Sequence, residues 1–142
     1  MDERRLQIKG SLEALVQVRH FVHQAALDAG LGDRAAHHCA LAVDEACTNI
    51  VEHGYRGEGA NQVIDISCCK DDDEFVITVL DDSPAFDPLA LPDPNPAIPT
   101  TELEPGGWGV FLIKKLMDEV VYDRQGSRNR LLMIKRLRLK PK

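Results

Sequence analysis

The hydrophobic period of this chain changes partway along, and that change restricts the fold to a small set. In residues 11–29, Leu12, Leu15, Val18, Val22, Ala25 and Ala29 recur at three- and four-residue steps, the spacing of one helical face. Residues 63–70 and 74–81 instead favour every second position and are joined by Asp71-Asp72-Asp73, the pattern of an antiparallel hairpin. A helix buries a stripe and a strand buries alternate residues, so a chain of 142 residues holding both packs a helical layer on a sheet.

The other segments extend this reading. Residues 4–9 alternate with Leu6 and Ile8 on one side, as a short edge strand does. Ser11 is placed to cap the first helix and Gly30 to stop it. Asp33 is placed to cap a second helix that runs to about His53, roughly 30 Å long, with Gly54 expected in the left-handed conformation that ends a helix. Gly106-Gly107-Trp108-Gly109 opens a third helix over residues 110–118, and strands at 119–124 and 130–138 flank a glycine-containing loop at 125–129. The expected fold is an α/β (α+β) two-layer sandwich: a mixed, mostly antiparallel sheet of about five strands with three helices on one face. Residues 1–142 read as one domain, with no repeats and no linker.

Charge and cysteine usage remove several function classes. Net charge is −6, with ten acidic residues and no Lys or Arg between Asp71 and Glu104, and eight basic residues from Arg124 to Lys142. The acidic half is a poor nucleic-acid surface, and the basic end reads as a strand with a charged outer side, so no direct nucleic-acid partner is expected. No apolar run approaches bilayer length and no signal segment opens the chain, so no membrane association and a cytoplasmic location are expected. Cys39, Cys47, Cys68 and Cys69 form no C-x-x-C pair and read as reduced hydrophobes. His37-His38-Cys39 diverge by about 100° per residue on a helix and do not converge on an ion.

The chemistry concentrates on the second helix. Glu45, Asn49 and His53 lie four residues apart on one face, opposite Ala36, Ala40, Val43, Cys47 and Ile50. A carboxylate one turn before a carboxamide suits phosphoryl transfer, with Glu45 polarising an attacking hydroxyl and the Asn49 oxygen holding magnesium. The same spacing also occurs on solvated helix faces, so other features must decide. One is Asp81, which ends the core-facing row Phe75, Ile77, Val79; a buried acid there needs a partner or a ligand, although a loop-capping role is equally open. Another is the stretch from Pro84 to Pro105, which holds seven of the eight prolines and reads as a binding loop or lid. The glycine-rich start of the third helix exposes amides suited to phosphate. In this order the pieces suit ATP, with Asp81 accepting from the adenine amino group.

On these residues the chain resembles the Bergerat-fold, histidine-kinase-like ATPases, and within them the anti-sigma-factor serine/threonine-protein kinases of the RsbW and SpoIIAB type. Glu45-x-x-x-Asn49-x-x-x-His53-Gly54-Tyr55 is similar to that family's N-box, residues 81–88 to its first glycine box, and residues 106–113 to its second. The resemblance implies ATP and magnesium as cofactors, Glu45 as general base, Asn49 as magnesium ligand and Asp81 as the adenine-reading acid. It makes Gly107 and Gly109 the hinge and phosphate cradle, and it extends the nucleotide site to His53, Ser83, Ala85, Phe86, Gly106, Trp108 and Val110. Trp108 reads first as packing for the third helix, with a lid anchor as the alternative. The implied partner is a small anti-sigma-factor antagonist with a STAS domain, with a sigma factor as a second partner and a homodimer as the assembly. One departure stands out: Ser83 and Ala85 occupy positions where the family carries glycine. A Cβ forced to positive φ there would cost roughly 1 kcal/mol. That departure motivates an alternative, a module that sequesters its partner without phosphoryl transfer.

Overall fold

The computed structural model describes residues 2–56, 59–90 and 107–137. Five strands, β1 (Arg4–Gly10), β2 (Gly59–Asp71), β3 (Glu74–Asp81), β4 (Glu119–Gln125) and β5 (Arg128–Arg136), form one sheet in the order β1-β2-β3-β5-β4. Every pairing is antiparallel, so the sheet uses no parallel ladder. Three helices, α1 (Leu15–Asp28), α2 (Asp33–Asn49) and α3 (Gly107–Leu116), form the second layer, with α2 packed between α1 and α3.

Strand periodicity explains which side of the sheet carries the helices. Along β3, Phe75, Ile77, Val79 and Asp81 are buried while the residues between them are partly exposed. Register carries that row across the sheet: Ile66 stands opposite Val79 and Cys68 opposite Ile77 on β2, while Leu131 and Met133 face Val79 and Ile77 from β5. Val18 and Val22 of α1 and Val43 and Cys47 of α2 close the core from above. Each large apolar side chain so buried contributes about 1.5–3 kcal/mol. The thiols belong to this packing: burial pushes Cys39 up to about 12 and Cys47 and Cys68 higher still, so they stay protonated.

The helix ends differ in detail from the sequence reading. Gly30, at φ +105°, ends α1 as anticipated; Leu31 N–H donates to Ala26 O (3.1 Å) and Gly30 N–H to Leu27 O (3.0 Å), and buried Leu31 completes the cap. Ser11 instead precedes a short 3-10 turn, Leu12–Ala14, and makes no side-chain capping bond. Asp33 is the first residue of α2 rather than its cap; Gly32 takes the cap position, and the Asp33 charge complements the positive end of the helix. The turn between β4 and β5 is shorter than expected, formed by Gly126 (φ +59°) and Ser127, so Asn129 belongs to β5 and not to a loop. No helix of the described residues is long and apolar enough to cross a membrane.

Candidate functional site

Two strand ends and one helix end meet at a single cavity. Register places Asp81, the last residue of β3, beside Ile64 of β2 on one side and Asn129 of β5 on the other. Ile8 of β1 continues the same row, so Asp81 and Asn129 are buried polar groups in line with core isoleucines. Facing them is the end of α2, where Asn49 is the last regular residue before a π-helical turn, Ile50–Gly54. The cavity, about 50 Å³, is lined by Ala46, Asn49, Ile50, Gly54, Asp81, Ser83, Phe86, Pro88, Ile113, Tyr122, Asn129 and Leu131.

The π turn reorganises the expected helical face. Gly54 is not left-handed; Tyr55 N–H closes the wide turn by donating to Ile50 O at 2.7 Å. Tyr55 OH then donates to Val63 O (2.7 Å) and accepts from Asp82 N–H (2.8 Å), tying the turn to β2 and to the end of β3. Burial pushes the Tyr55 phenol up, so it remains a donor. With the helical phase shifted, Ile50 and Gly54 reach the cavity, whereas His53 is exposed, 4.0 Å from Glu52 Oε2, and does not line it. Gly54 is glycine for a steric reason: a Cβ there would stand 2.8 Å from Ser83 Oγ and 2.9 Å from Ser83 Cβ.

The sheet end of the cavity is a closed hydrogen-bond network. Asp81 Oδ1 accepts from Ser83 N–H (2.9 Å), from the Ser83 hydroxyl and from Asn129 Nδ2 (3.2 Å). None of these three groups bonds Asp81 Oδ2, and Asp81 is among the residues that line the cavity. Asn129 Nδ2 also donates to Ser83 O and Ser83 Oγ (both 3.1 Å) and to Pro84 O (3.2 Å). On its other side, Asn129 Oδ1 accepts from Tyr122 OH and from Arg124 Nη1, which at 3.0 Å is also 3.2 Å from Ser83 O. These donors on Oδ1 fix the amide orientation, because the reverse would set N–H against N–H.

Ser83 and Ala85, the departures from the glycine pattern, carry no backbone strain. Positive φ among the described non-glycine residues is confined to Arg56 and Asp72. Ser83 is buried and its hydroxyl is bonded, while Ala85 is exposed and does not line the cavity. Phe86, 45% exposed, and Pro88 form the outer wall, held to the sheet by a long Phe86 N–H contact to Asn129 Oδ1 at 3.4 Å.

The helix end of the cavity is looser. Glu45 and Asn49 are half-buried, and α3 lies directly over them: a Cβ on Gly109 would stand 2.9 Å from Glu45 Oε2 and 3.3 Å from Asn49 Nδ2. Burial raises the Glu45 carboxyl above its ordinary value, with Asp44 and Glu52 adding to the shift. Asp44 itself pairs with Arg19 of α1 at 2.8 Å, which anchors this end of α2 to its neighbour. Gly107 opens α3, Val110 is buried, and Gly106 lies outside the described residues, as does the Trp108 side chain.

Of the residues singled out from sequence, Asn49, Asp81, Ser83 and Phe86 line one cavity, and Glu45 and Gly109 meet beside Asn49. Asn129, Tyr122 and Arg124 went unnoticed, because nothing local reveals that β5 pairs with β3. Ala46, Ile113 and Leu131 carried only the signal of core positions. Among the described residues no group of three or more His, Cys, Asp or Glu side chains is placed to hold a metal. A magnesium ion here would depend on Asn49 and on phosphate oxygens, as magnesium sites commonly do.

The sequence profile of the Histidine kinase-like ATPase domain family matches residues 8–135. Among curated proteins, Serine-protein kinase RsbW of Bacillus subtilis is 37% identical over 84 residues, covering 56% of this chain and 52% of that protein. RsbW of Halalkalibacterium halodurans is 38% identical over 84 residues, covering 56% and 50%. The chain thus spans about half the length of these curated relatives. Among solved structures, the RsbU and RsbW domains of a Mycobacterium tuberculosis protein superpose with a TM-score of 0.68 at 16% identity, over 96% of this chain and 33% of that one. The histidine kinase domain of the Erythrobacter litoralis EL346 blue-light activated kinase gives 0.52 at 18% identity, over 92% and 62%. With the profile spanning nearly the whole chain and the same fold in both structures, this chain belongs to the histidine kinase-like ATPase domain family.

Proposed function

We propose that this protein is an ATP-dependent serine/threonine-protein kinase that phosphorylates a small anti-sigma-factor antagonist of the STAS type and sequesters a sigma factor in turn. The observation that carries the reading is a single cavity bounded by Asn49 at one end and Asp81 at the other. The relatives named Serine-protein kinase RsbW support the reaction class. The chemistry of the donor set agrees with a nucleotide. Asp81 Oδ2 offers an acceptor to the adenine amino group, Ile50, Ile113 and Leu131 line apolar walls for a purine, and the close approach of Gly109 brings the α3 backbone over Glu45 and Asn49.

Each residue then has a defined task. Asp81 orients the base, and Gly107 and Gly109 at the positive end of α3 receive the phosphates. Asn49 Oδ1 would hold magnesium, which when bound neutralises phosphate charge during transfer. Glu45 accepts the proton of the partner's serine hydroxyl as its oxygen bonds the γ-phosphorus and the bond to the ADP oxygen breaks. A carboxylate whose proton affinity is raised by burial suits that task. The present cavity has room for a few waters but not for a purine, so base entry requires the exposed Phe86–Pro88 wall to move outward. The protein acts as a homodimer in the cytoplasm on this reading. A binding module without transfer loses its main motive, since Ser83 and Ala85 sit outside the left-handed region.

The test combines the protein, labelled ATP, magnesium and the antagonist encoded beside it. Phosphoserine on the antagonist, abolished by Glu45→Gln while nucleotide binding persists, is the expected result. Nucleotide binding with no phosphoserine under any condition would show the sequestering module instead.

A further inference from the structure

At the pole opposite Asp81 the sheet ends on the other sign of charge. β5 runs antiparallel to β3, so its helix-facing row, Leu131 and Met133, continues to Lys135 beside Phe75, near the start of β3. Lys135 is half-buried, and its Nζ donates to Leu116 O at 2.6 Å, at the end of α3. A cavity of about 470 Å³ opens between it and the first turns of α2, and its charged and polar side chains are Arg34, His38, Lys135 and Arg136. Among the described residues no carboxylate lines it.

Positive charge is handled differently here from elsewhere in a chain of net charge −6. Arg4, Arg19, Arg128 and Arg130 each pair with a carboxylate. Among the described residues, Arg34 and His38 have no hydrogen-bond or ion-pair partner. The carboxylates nearby are engaged with other groups: Asp33 lies 3.3 Å from His23 of α1, and Asp118 Oδ2 accepts the Arg136 backbone N–H at 2.6 Å. Arg136 is the outer member, with Glu74 opposite it in register and Glu119 3.9 Å from its Nη2. His38 feels the result: burial first, then Lys135, Arg34 and His37, hold its imidazole below its ordinary value, and every charge contributing to the shift is positive.

Like charges gathered in a concave, half-buried place repel, and water and salt screen them less than on an open surface. A ligand with several negative charges removes that repulsion. A carboxylate brings one charge, whereas a phosphoryl group brings nearly two and three acceptor oxygens. The planar Arg34 fork suits two of those oxygens at once, Lys135 supplies a point charge, and His38 a ring N–H. We propose that this cleft is a binding site for a diphosphate group, held by Arg34, His38 and Lys135 roughly 22 Å along α2 from Asn49. It shares no lining residue with the nucleotide cavity, and the diphosphate is bound there without being transferred. Free diphosphate and the end of a nucleoside diphosphate share this chemistry.

Titration calorimetry of the whole chain with sodium pyrophosphate and with inorganic phosphate, without magnesium, tests the site. Proton NMR of the His38 imidazole, assigned through His38→Gln, reports where the anion sits. Pyrophosphate is expected to bind one per chain, more tightly than phosphate, and to move the His38 signal toward its protonated position. Arg34→Gln is expected to weaken binding by roughly tenfold or more, while Asn49→Ala leaves it unchanged. Arg34 is exposed, so its substitution spares the core, and an unchanged unfolding temperature checks that. ADP that moves the His38 signal as pyrophosphate does supports a nucleoside diphosphate as the ligand, and ADP that leaves it unmoved supports free diphosphate. No pyrophosphate binding, or phosphate bound as tightly as pyrophosphate, overturns the proposal. Binding lost in Asn49→Ala but kept in Arg34→Gln also overturns it, and leaves the nucleotide reading standing.

Discussion

The two ends of the cavity are built by different means. At the sheet end, strand register sets Asp81 against Asn129, and buried hydrogen bonds then hold Ser83, Tyr122 and Arg124 around them. At the helix end, Glu45 and Asn49 are half-buried, and the approach of α3 at Gly109 shapes their surroundings. A network of buried polar bonds is stiff, because each lost partner leaves another group unsatisfied. A helix-on-helix contact made through glycine is adjustable. On the proposed reading, the contrast suits a nucleotide site in which the base meets a fixed acceptor once the Phe86–Pro88 wall has moved outward, and the phosphates are gathered by a movable element.

The sharpest way to break this comparison is Asn49→Ala. It removes the carboxamide at the adjustable end and is expected to abolish the effect of magnesium on nucleotide affinity, beyond the roughly 10–100-fold that loss of an outer-shell metal partner costs. Thermal unfolding should be little changed, since Asn49 is only half-buried. Magnesium-dependent binding that survives in the variant would show that the metal is held elsewhere.

At the stiff end, Gly54→Ala places a Cβ within 2.8 Å of Ser83 Oγ and is expected to destabilise by about 1–3 kcal/mol. Ser83→Gly in the same molecule should recover most of that loss. A double-mutant cycle by chemical denaturation gives the coupling, and strict additivity would mean that the two residues do not compete for the same space.

Gly109→Ala should behave in the opposite way. Its Cβ meets only the ends of the Glu45 and Asn49 side chains, and alanine is the better helix former by up to about 1 kcal/mol, so stability should hold or rise. On the proposed reading of Glu45 as the base, displacing its carboxylate is nonetheless expected to lower the transfer rate by roughly tenfold or more. A variant that is both stable and fully active would detach Gly109 from the chemistry.

The smallest expected effect concerns pH. Burial first, then Asp44 and Glu52, raise the Glu45 carboxyl above its ordinary value of 4.5. With Glu45 as the proposed base, transfer needs it ionised, so the rate should fall, as pH drops, from a higher pH than an unperturbed glutamate allows. Ionisation of Glu45 opposes folding above its raised value, and that cost is relieved as pH falls through it. Glu52→Gln removes one contributor and should move the acid limb slightly downward; an unmoved limb would leave burial and Asp44 as the whole cause.

Much of the fold was legible because it is local. Period-two alternation placed Asp81 on the core face with Phe75, Ile77 and Val79, and the structure has all four buried. The positive φ of Gly30 followed from its position after the last apolar residue of α1. The misreadings had physical causes. Gly54 looked like a helix stop, but the chain widens into a π turn because Tyr55 must reach Val63 O and Asp82 N–H. His53 shared a face with Glu45 and Asn49 only while the helix kept its regular phase. Sequence alone sets Asn129 in a loop, because a two-residue turn and a longer one look alike in sequence.

The sequence by itself determined the elements, the burial of Asp81 at a strand end and the placing of Glu45 and Asn49 one turn apart, since neighbours along the chain settle each of these. Tertiary structure alone decided that Asn129 faces Asp81, that Ser83 fills the space Gly54 leaves, and that α3 lies over Glu45. Those contacts join residues 29 to 64 positions apart. Strand register and helix packing set them, as sums over many weak contacts that no short stretch of sequence contains.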